Sequence, residues 1–299
     1  MHSAPSHSRE NLGMLLGLIG VAGFSGTLPA TRLAVAELDP TLVGLGRSVV
    51  AALFAAVLLL LLRQRLPSRH QIRSLFIVAA GVVIGFPILS AWALQQLPAS
   101  HGAIVVAVLP LLTALAGSLR SQMRPSPGFW LTSLASCAAV LGFSISSGNG
   151  GLQAADLILL ASVAAGAIGY AEGGELAKEM GGWQVICWAL VLTAPLLILP
   201  VGIAAWQHGF SASDEAWSGF VYVSLISQLI GFFLWYQGLA LGGVVRVSQV
   251  QYLQPFMTLT IAAMVLGEPV TPSMLSIAAF IVIMVALGKR MPVVAAKPA

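Results

Sequence analysis

Charge is scarce in this sequence. Of its 299 residues only 8% are Asp, Glu, Lys or Arg, against roughly 25% in a soluble domain, so the surface of the folded chain cannot face water. No polar stretch is long enough to bury a core of its own, which excludes an appended soluble domain. Cysteine is limited to Cys137 and Cys187, both inside apolar runs, where they read as small packing residues. No Gly-Lys-Ser/Thr phosphate loop occurs, which excludes ATP hydrolysis by this chain, and no ATPase subunit is implied. Paired catalytic carboxylates, metal-ligand clusters and activated nucleophiles at useful spacing are also missing, so neither an enzyme nor a cofactor is indicated. Strands of alternating polarity, the mark of an outer-membrane barrel, are absent.

What fills the chain is apolar. Hydrophobic residues make up 58% of it, with a mean hydropathy of +0.93. Ten spans of about 20 residues would use about 200 residues and leave about 100 for tails and loops. The runs fall near 12–31, 41–62, 74–97, 99–119, 128–147, 154–177, 183–205, 217–240, 244–266 and 272–288. The fold expected is therefore an all-α polytopic membrane protein with ten transmembrane helices. The first run superficially resembles a signal peptide, but its length and its part in the repeat described below make it a helix of the mature fold.

The net charge of +4 does not indicate nucleic acid, because the basic residues are scattered among short loops. Twelve of the 14 fall on one side of the spans, from Arg9 through Arg63, Arg65, Arg69, Arg73, Arg120, Arg124, Lys178 and Arg246 to Lys289, Arg290 and Lys297. Only Arg32 and Arg47 lie on the other. By the positive-inside rule both termini are cytoplasmic, in a multi-pass protein of the inner (cytoplasmic) membrane.

The chain also repeats itself. Gly23-Phe24-Ser25-Gly26 matches Gly166-Ala167-Ile168-Gly169 at an offset of 143, and Ile84-Gly85-Phe86-Pro87 matches Ile230-Gly231-Phe232-Phe233 at 146. Leu109-Pro110 through Thr113 matches Gln254-Pro255 through Thr258 at 145, and Pro127 matches Pro272 at the same offset. Five spans per half is an odd number, so the halves enter the membrane from opposite sides. The organisation expected is a tail over 1–11, a first five-helix repeat over 12–150, an inverted one over 151–290, and a tail over 291–299. Such inverted repeats hold a substrate near the midplane and expose it alternately to each side.

These residues carry a resemblance. Gly23-Phe24-Ser25-Gly26 through Arg32, Pro40 followed by Arg47, Tyr252-Leu253-Gln254-Pro255, and Leu266-Gly267-Glu268-Pro269-Val270-Thr271 resemble the drug/metabolite transporter superfamily in its ten-helix EamA-type branch. The likeness covers residues 12–290, although Met123 stands where the second half has Glu268. Within the branch the chain is most similar to YddG-type amino-acid exporters. The resemblance implies outward transport of amino acids of broad specificity, aromatic ones included. Purines, vitamins, other metabolites and cationic drugs are alternative cargoes in the same superfamily. Facilitated diffusion and proton antiport both remain open as the means of coupling. A complete repeat within one chain suffices for a functional monomer.

Polar residues within spans are costly in hydrocarbon and should face the bundle interior. In span 9, Ser248, Gln251, Tyr252 and Pro255 share a helical face, with Gln254 flanking it. They read either as substrate contacts or as interhelical hydrogen bonding. Trp92 and Gln95 in span 3 lie towards the outer end, as cavity wall or interface anchor. Gln228 and Trp235 share a face of span 8, the tryptophan serving either the cavity or the interface belt. Glu172 lies three residues deeper than Glu175 in span 6, about 4.5 Å along the helix axis. It reads as a structural acceptor, a snorkelling group or a proton-coupling carboxylate. Arg47 either pairs with Glu37 or Asp39 or holds a substrate carboxylate. His101 reads as a loop residue. Gly23 and Gly26 belong to a small-residue stripe that packs or slides, and Pro110 and Pro255 read as hinge positions.

Overall fold

The structure, a computed structural model, describes residues 7–120, 123–147, 153–291 and 293–295. Ten helical segments follow one another among these residues. They are α1 (7–35, interrupted at Gly26), α2 (Pro40–Leu61), α3 (Arg69–Leu94), α4 (Ala99–Arg120), α5 (Pro127–Ser147), α6 (Ala154–Met180), α7 (Gly182–His208), α8 (Asp214–Gly242), α9 (244–266) and α10 (Pro272–Arg290). Seven of the helices are long and apolar enough to cross a membrane, and Val250–Leu266 and Pro272–Met284 are shorter apolar helices. Their outer faces carry bare leucines such as Leu60, Leu61 and Leu199. That pattern suits a lipid solvent, and the chain is an all-helical polytopic membrane protein. The expected boundary near 150 and the extreme tails lie outside the described residues, as does the Cys137 side chain; Cys187 is buried and free. A three-residue antiparallel ladder pairs Met123–Pro125 with Val293–Ala295.

Local chemistry sets the helix ends. Asp39 accepts from the amides of Thr41 (2.8 Å) and Leu42 (3.1 Å) ahead of Pro40, and Ser68 with Gln71 forms a capping box on α3. Gly181, Gly209, Gly243 and Gly267 end the preceding helices at positive φ.

Within the helices, proline and wide turns leave carbonyls without an intrahelical donor, and neighbouring side chains take them. Pro29 cannot serve the Ser25 carbonyl, which instead accepts from the Thr258 hydroxyl at 2.9 Å. The stretch Ala79–Gly85 of α3 winds with i→i+5 bonds, so Pro87 deprives both Val82 and Val83 of a donor. Ser48 bonds Val83 O (2.8 Å) and the Gln228 amide bonds Val82 O (2.9 Å). A second wide-turn stretch, Tyr222–Ile230, occupies the corresponding place in α8. Pro195 and Pro200 sit within α7 without ending it.

The principal packing partners are α1 with α8 and α9, α2 with α7, α3 with α6, α4 with α6 and α9, and α5 with α10. One apolar core joins α1, α2, α3, α6, α7 and α8 with parts of α4 and α9, and a second lies among α4, α5, α9 and α10 with the outer ends of α3 and α6. Glycine brings α1 and α8 into backbone contact. A Cβ on Gly13 would stand 2.7 Å from Gly242 N, and one on Gly238 2.7 Å from Gly13 O. Gly81 and Gly169 make the same kind of approach between α3 and α6. Gly238→Val should therefore lower stability by about 1–3 kcal/mol through overpacking. Gly202→Ala, at a position with nothing within 4 Å of an added Cβ, should leave it unchanged or slightly raised. Thermal unfolding of the two purified variants in detergent checks the pair.

Candidate functional site

A closed cavity lies at mid-bundle between the two halves of the chain. Its polar lining comes from Thr27 on α1, Arg47 on α2, Ser227 and Gln228 on α8, and Gln254 on α9. The rings of Phe24, Phe86, Tyr170 and Phe232 complete the wall. The volume left open between these side chains is about 20 Å³, far below that of a site holding a small molecule. Side chains leave free only a water-sized gap within it, so this conformation is occluded.

Thr27 and Ser227 hydroxyls bond each other across the halves at 2.8 Å. The aromatic wall is mutually packed, with Phe24 5.0 Å from Phe232 and Tyr170 5.3 Å from Trp235 between ring centroids. Trp235 is fully buried behind these rings, and its indole nitrogen has no partner among the described residues.

Arg47 differs from the sequence expectation. It is 2% exposed and pairs with neither Glu37 nor Asp39. Glu37 instead accepts from the Ser213 hydroxyl (2.6 Å) and amide (2.7 Å), bonds that hold its carboxyl below the usual carboxylate range. Asp39 is committed to its helix cap and lies 3.6 Å from His208. Arg47 sits seven residues into α2, about 10 Å from the helix start, with its Nε buried and unpartnered.

Span 9 also departs from the expected pattern, for a geometric reason. Ser248–Leu253 winds as a 3₁₀ helix ahead of Pro255. At three residues per turn, Ser248, Gln251 and Gln254 share a face, where 3.6 per turn would have grouped Ser248 with Gln251, Tyr252 and Pro255. Gln254 reaches the cavity. Gln251 is buried with both amide atoms unpartnered, Ser248 is fully buried, and Tyr252 packs in the second apolar core. Pro110 opens a matching break in α4, whose helical turns stop at Val106 and resume at Leu109. Trp92 is 43% exposed and Gln95 faces outward, so neither lines the cavity.

Gly23 and Gly26 lie where α1 meets Tyr222. The Tyr222 hydroxyl donates to Gly23 O (2.9 Å), and a Cβ on Gly26 would meet that hydroxyl at 2.5 Å.

Each end of the bundle has a polar vestibule. At the end where α1 begins, His70, Ser74, Glu175 and Glu179 surround a pair between Glu172 and Arg120 Nε at 2.7 Å. Glu175 holds Lys178 separately at 2.7 Å. At the opposite end, Glu268 of the Leu-Gly-Glu-Pro motif accepts from the amides of Ala99 (2.9 Å) and Ser100 (2.7 Å), capping α4 from the α9–α10 turn. His101 is not a loop residue. It lies buried in α4, 2.7 Å from the buried Asp156 carboxylate at the start of α6. Sequence reasoning missed the Thr27–Ser227 pair and the latching role of Glu268. The available signal for Arg47 was its position inside a span on the side with only two basic residues.

A bundle of membrane-length helices around an occluded polar cavity, with a vestibule at each end, is the build of a small-molecule membrane transporter. The chain belongs to the EamA-like transporter family, which it matches twice, over residues 11–145 and 153–288. It is 44% identical over 93% of its length to the uncharacterized transporter YdeK of Bacillus subtilis (strain 168), covering 97% of that protein. It is 25% identical over 85% of its length to a probable terminal-alkyne amino-acid exporter of Streptantibioticus cattleyicolor, covering 86% of it. Protein PecM of Dickeya dadantii is 25% identical over 74% of this chain and 76% of its own. A solved crystal structure aligns with a TM-score of 0.66 at 16% identity, over 92% of this chain and 97% of that one, a likeness of fold alone.

The two classes of ion pair should differ in weight. His101→Ala leaves the Asp156 carboxylate buried with only the Gln153 amide (3.1 Å) bonded to it. That should cost about 1–3 kcal/mol. Lys178→Ala, in a pair exposed by 44% and 37%, should cost under about 1 kcal/mol. Thermal unfolding of the two variants in one detergent measures the difference.

Proposed function

We propose that this protein exports amino acids, aromatic ones included, across the cytoplasmic membrane by alternating access, working as a monomer with both termini in the cytoplasm. The observation that carries the reading is the mid-bundle cavity, whose amides and hydroxyls stand beside a wall of aromatic rings. Gln228 and Gln254 suit the polar end of an amino acid, and Phe24, Tyr170 and Phe232 suit its side chain. The likeness to a probable amino-acid exporter favours the same cargo class.

Ten crossings arranged as two inverted five-helix repeats supply the mechanism. Two observations support that arrangement. The family match falls once on each half. The packing also has the symmetry that a twofold axis in the membrane plane demands, since α1 on α8 is mirrored by α6 on α3, while α2, α4 and α5 each meet their own counterpart. Exchange of conformation between the halves opens the cavity to one vestibule as it closes the other. The breaks beside Pro110 and Pro255, and the glycines Gly23 and Gly26, are the hinge positions. Gln251 enters as a cavity residue of a conformation other than the occluded one, since both of its amide atoms are unpartnered here.

Proteoliposomes preloaded with unlabelled amino acid should take up labelled phenylalanine, methionine or threonine faster than unloaded ones. Gln254→Leu should weaken apparent affinity about tenfold, the worth of one hydrogen bond to a charged group. Uptake no greater than that of empty liposomes, with folded protein present, would move the cargo to another metabolite or a drug.

A second reading, proton coupling, rests on the Glu172–Arg120 pair at the mouth of the vestibule. A proton on Glu172 releases Arg120 and loosens that end of the bundle, so influx of a proton could drive export. Glu172→Gln should flatten any pH dependence of transport. An unchanged profile discards this coupling.

A further inference from the structure

Arg47 is a charged side chain that the fold buries without an ion pair. Its exposure is 2%, its Nε has no partner, and it lines the central cavity. No hydrogen bond or salt bridge joins it to any described residue, and no carboxylate lines the cavity with it. The titratable group it shares the wall with is Tyr170. Of the six acids at the far end of the bundle, Glu37 is engaged with Ser213, Asp39 with its helix cap, Glu268 with α4 and Asp156 with His101, while Asp214 and Glu215 stand in the first turn of α8.

A guanidinium left in this state works against folding, because an unpaired buried charge costs several kcal/mol that a hydrophobic residue of similar volume would not. Its planar fork is built for bidentate bonding to a carboxylate. The remaining polar lining, hydroxyls and amides, is neutral. The cavity therefore carries a fixed positive charge and offers no negative one for an ammonium.

We propose that Arg47 is the receptor for the cargo's carboxylate, and that the site selects substrates by that carboxylate and not by their amino group. The inference deepens the transport reading above and rests on it for the place of the cavity in the cycle. It assigns the Gln254 amide and the side-chain oxygen of Gln228, whose nitrogen serves Val82 O, to whatever polar group sits on the α-carbon. It leaves the aromatic wall to the side chain. Phenylalanine and its 2-oxo acid, phenylpyruvate, then both qualify as ligands, whereas phenylalanine methyl ester and phenethylamine do not.

Isothermal titration calorimetry on the full chain in detergent, with these four compounds, tests the assignment. The wild type should bind the two carboxylates at least about tenfold more tightly than the ester and the amine, the worth of a lost charge-assisted pair. Arg47→Gln should lose that preference while eluting as a single folded species. Arg47→Lys, which keeps the charge without the fork, should retain the preference at reduced affinity. Carboxylates that bind no better than the ester and amine, that bind Arg47→Gln as well as wild type, or that do not bind, overturn the inference. The wild-type ranking decides this even where Arg47→Gln does not fold. Proteoliposome uptake of phenylalanine that persists after such a result leaves the transport reading standing. Arg47-dependent binding without phenylalanine transport supports the carboxylate site and removes the amino acid as cargo.

Discussion

Hydrocarbon offers no hydrogen bonds, so every polar group that this chain carries into the membrane must find its partner inside the protein. The helices satisfy most backbone groups, and many hydroxyls bond one turn back along their own helix, as Thr113 does to Leu109 O (2.8 Å) and Ser118 to Ala114 O (2.7 Å). Some cross-helix polar bonds appear where the backbone itself is interrupted. Pro29, Pro87 and the wide turn of α3 free three carbonyls, and Thr258, Ser48 and Gln228 occupy them. Because the accounting is otherwise so complete, the few groups that escape it carry information. Among the described residues Thr31, Arg47, Gln184, Trp235 and Gln251 each have a buried polar atom without a partner, and of these Arg47 lines the cavity while Trp235 packs against its wall.

Association of the helices cannot rely on the hydrophobic effect, since lipid tails are as apolar as leucine. Close van der Waals approach takes its place, and glycine permits it. Gly13 and Gly238 put α1 on α8 with no side chain between them, and Gly81 with Gly169 does the same for α3 on α6. Both contacts join one half of the chain to the other. At these points backbone meets backbone, while rings such as Phe24, Phe232 and Trp235 interlock farther along the α1–α8 contact.

The periodicity and charge distribution of the sequence were enough to read the helical segments, because runs of about 20 apolar residues admit few alternatives. The offset between halves was also legible in Pro110 and Pro255, whose missing amides interrupt α4 and α9 at matching places. The site was less so. An ideal 3.6-residue period grouped Tyr252 with Gln251, but the 3₁₀ turns before Pro255 rotate Gln254 into the cavity and Tyr252 into the second core. Long-range partners had no local signal at all. Nothing near His101 announces Asp156, and nothing near Glu268 announces the amides of Ala99 and Ser100. Arg47 was ambiguous for the same reason, since acids close in sequence proved to be occupied by partners distant in sequence.

The latches at the two ends set the energetic scale on which cargo can act. Glu268 caps a helix start through two amides, an interaction worth about 0.3–1 kcal/mol near a surface. The Arg120–Glu172 pair has an arginine side chain 49% exposed and so contributes no more than about 1 kcal/mol. Each latch alone therefore biases opening by a factor of about ten or less, since about 1.4 kcal/mol is tenfold. A ligand shifts such an equilibrium only by its difference in affinity between the two states. Weak latches at both ends make that requirement small. If Arg47 receives a carboxylate as proposed above, the burial of its incompletely bonded guanidinium makes the occluded state the one that a bound anion stabilises most.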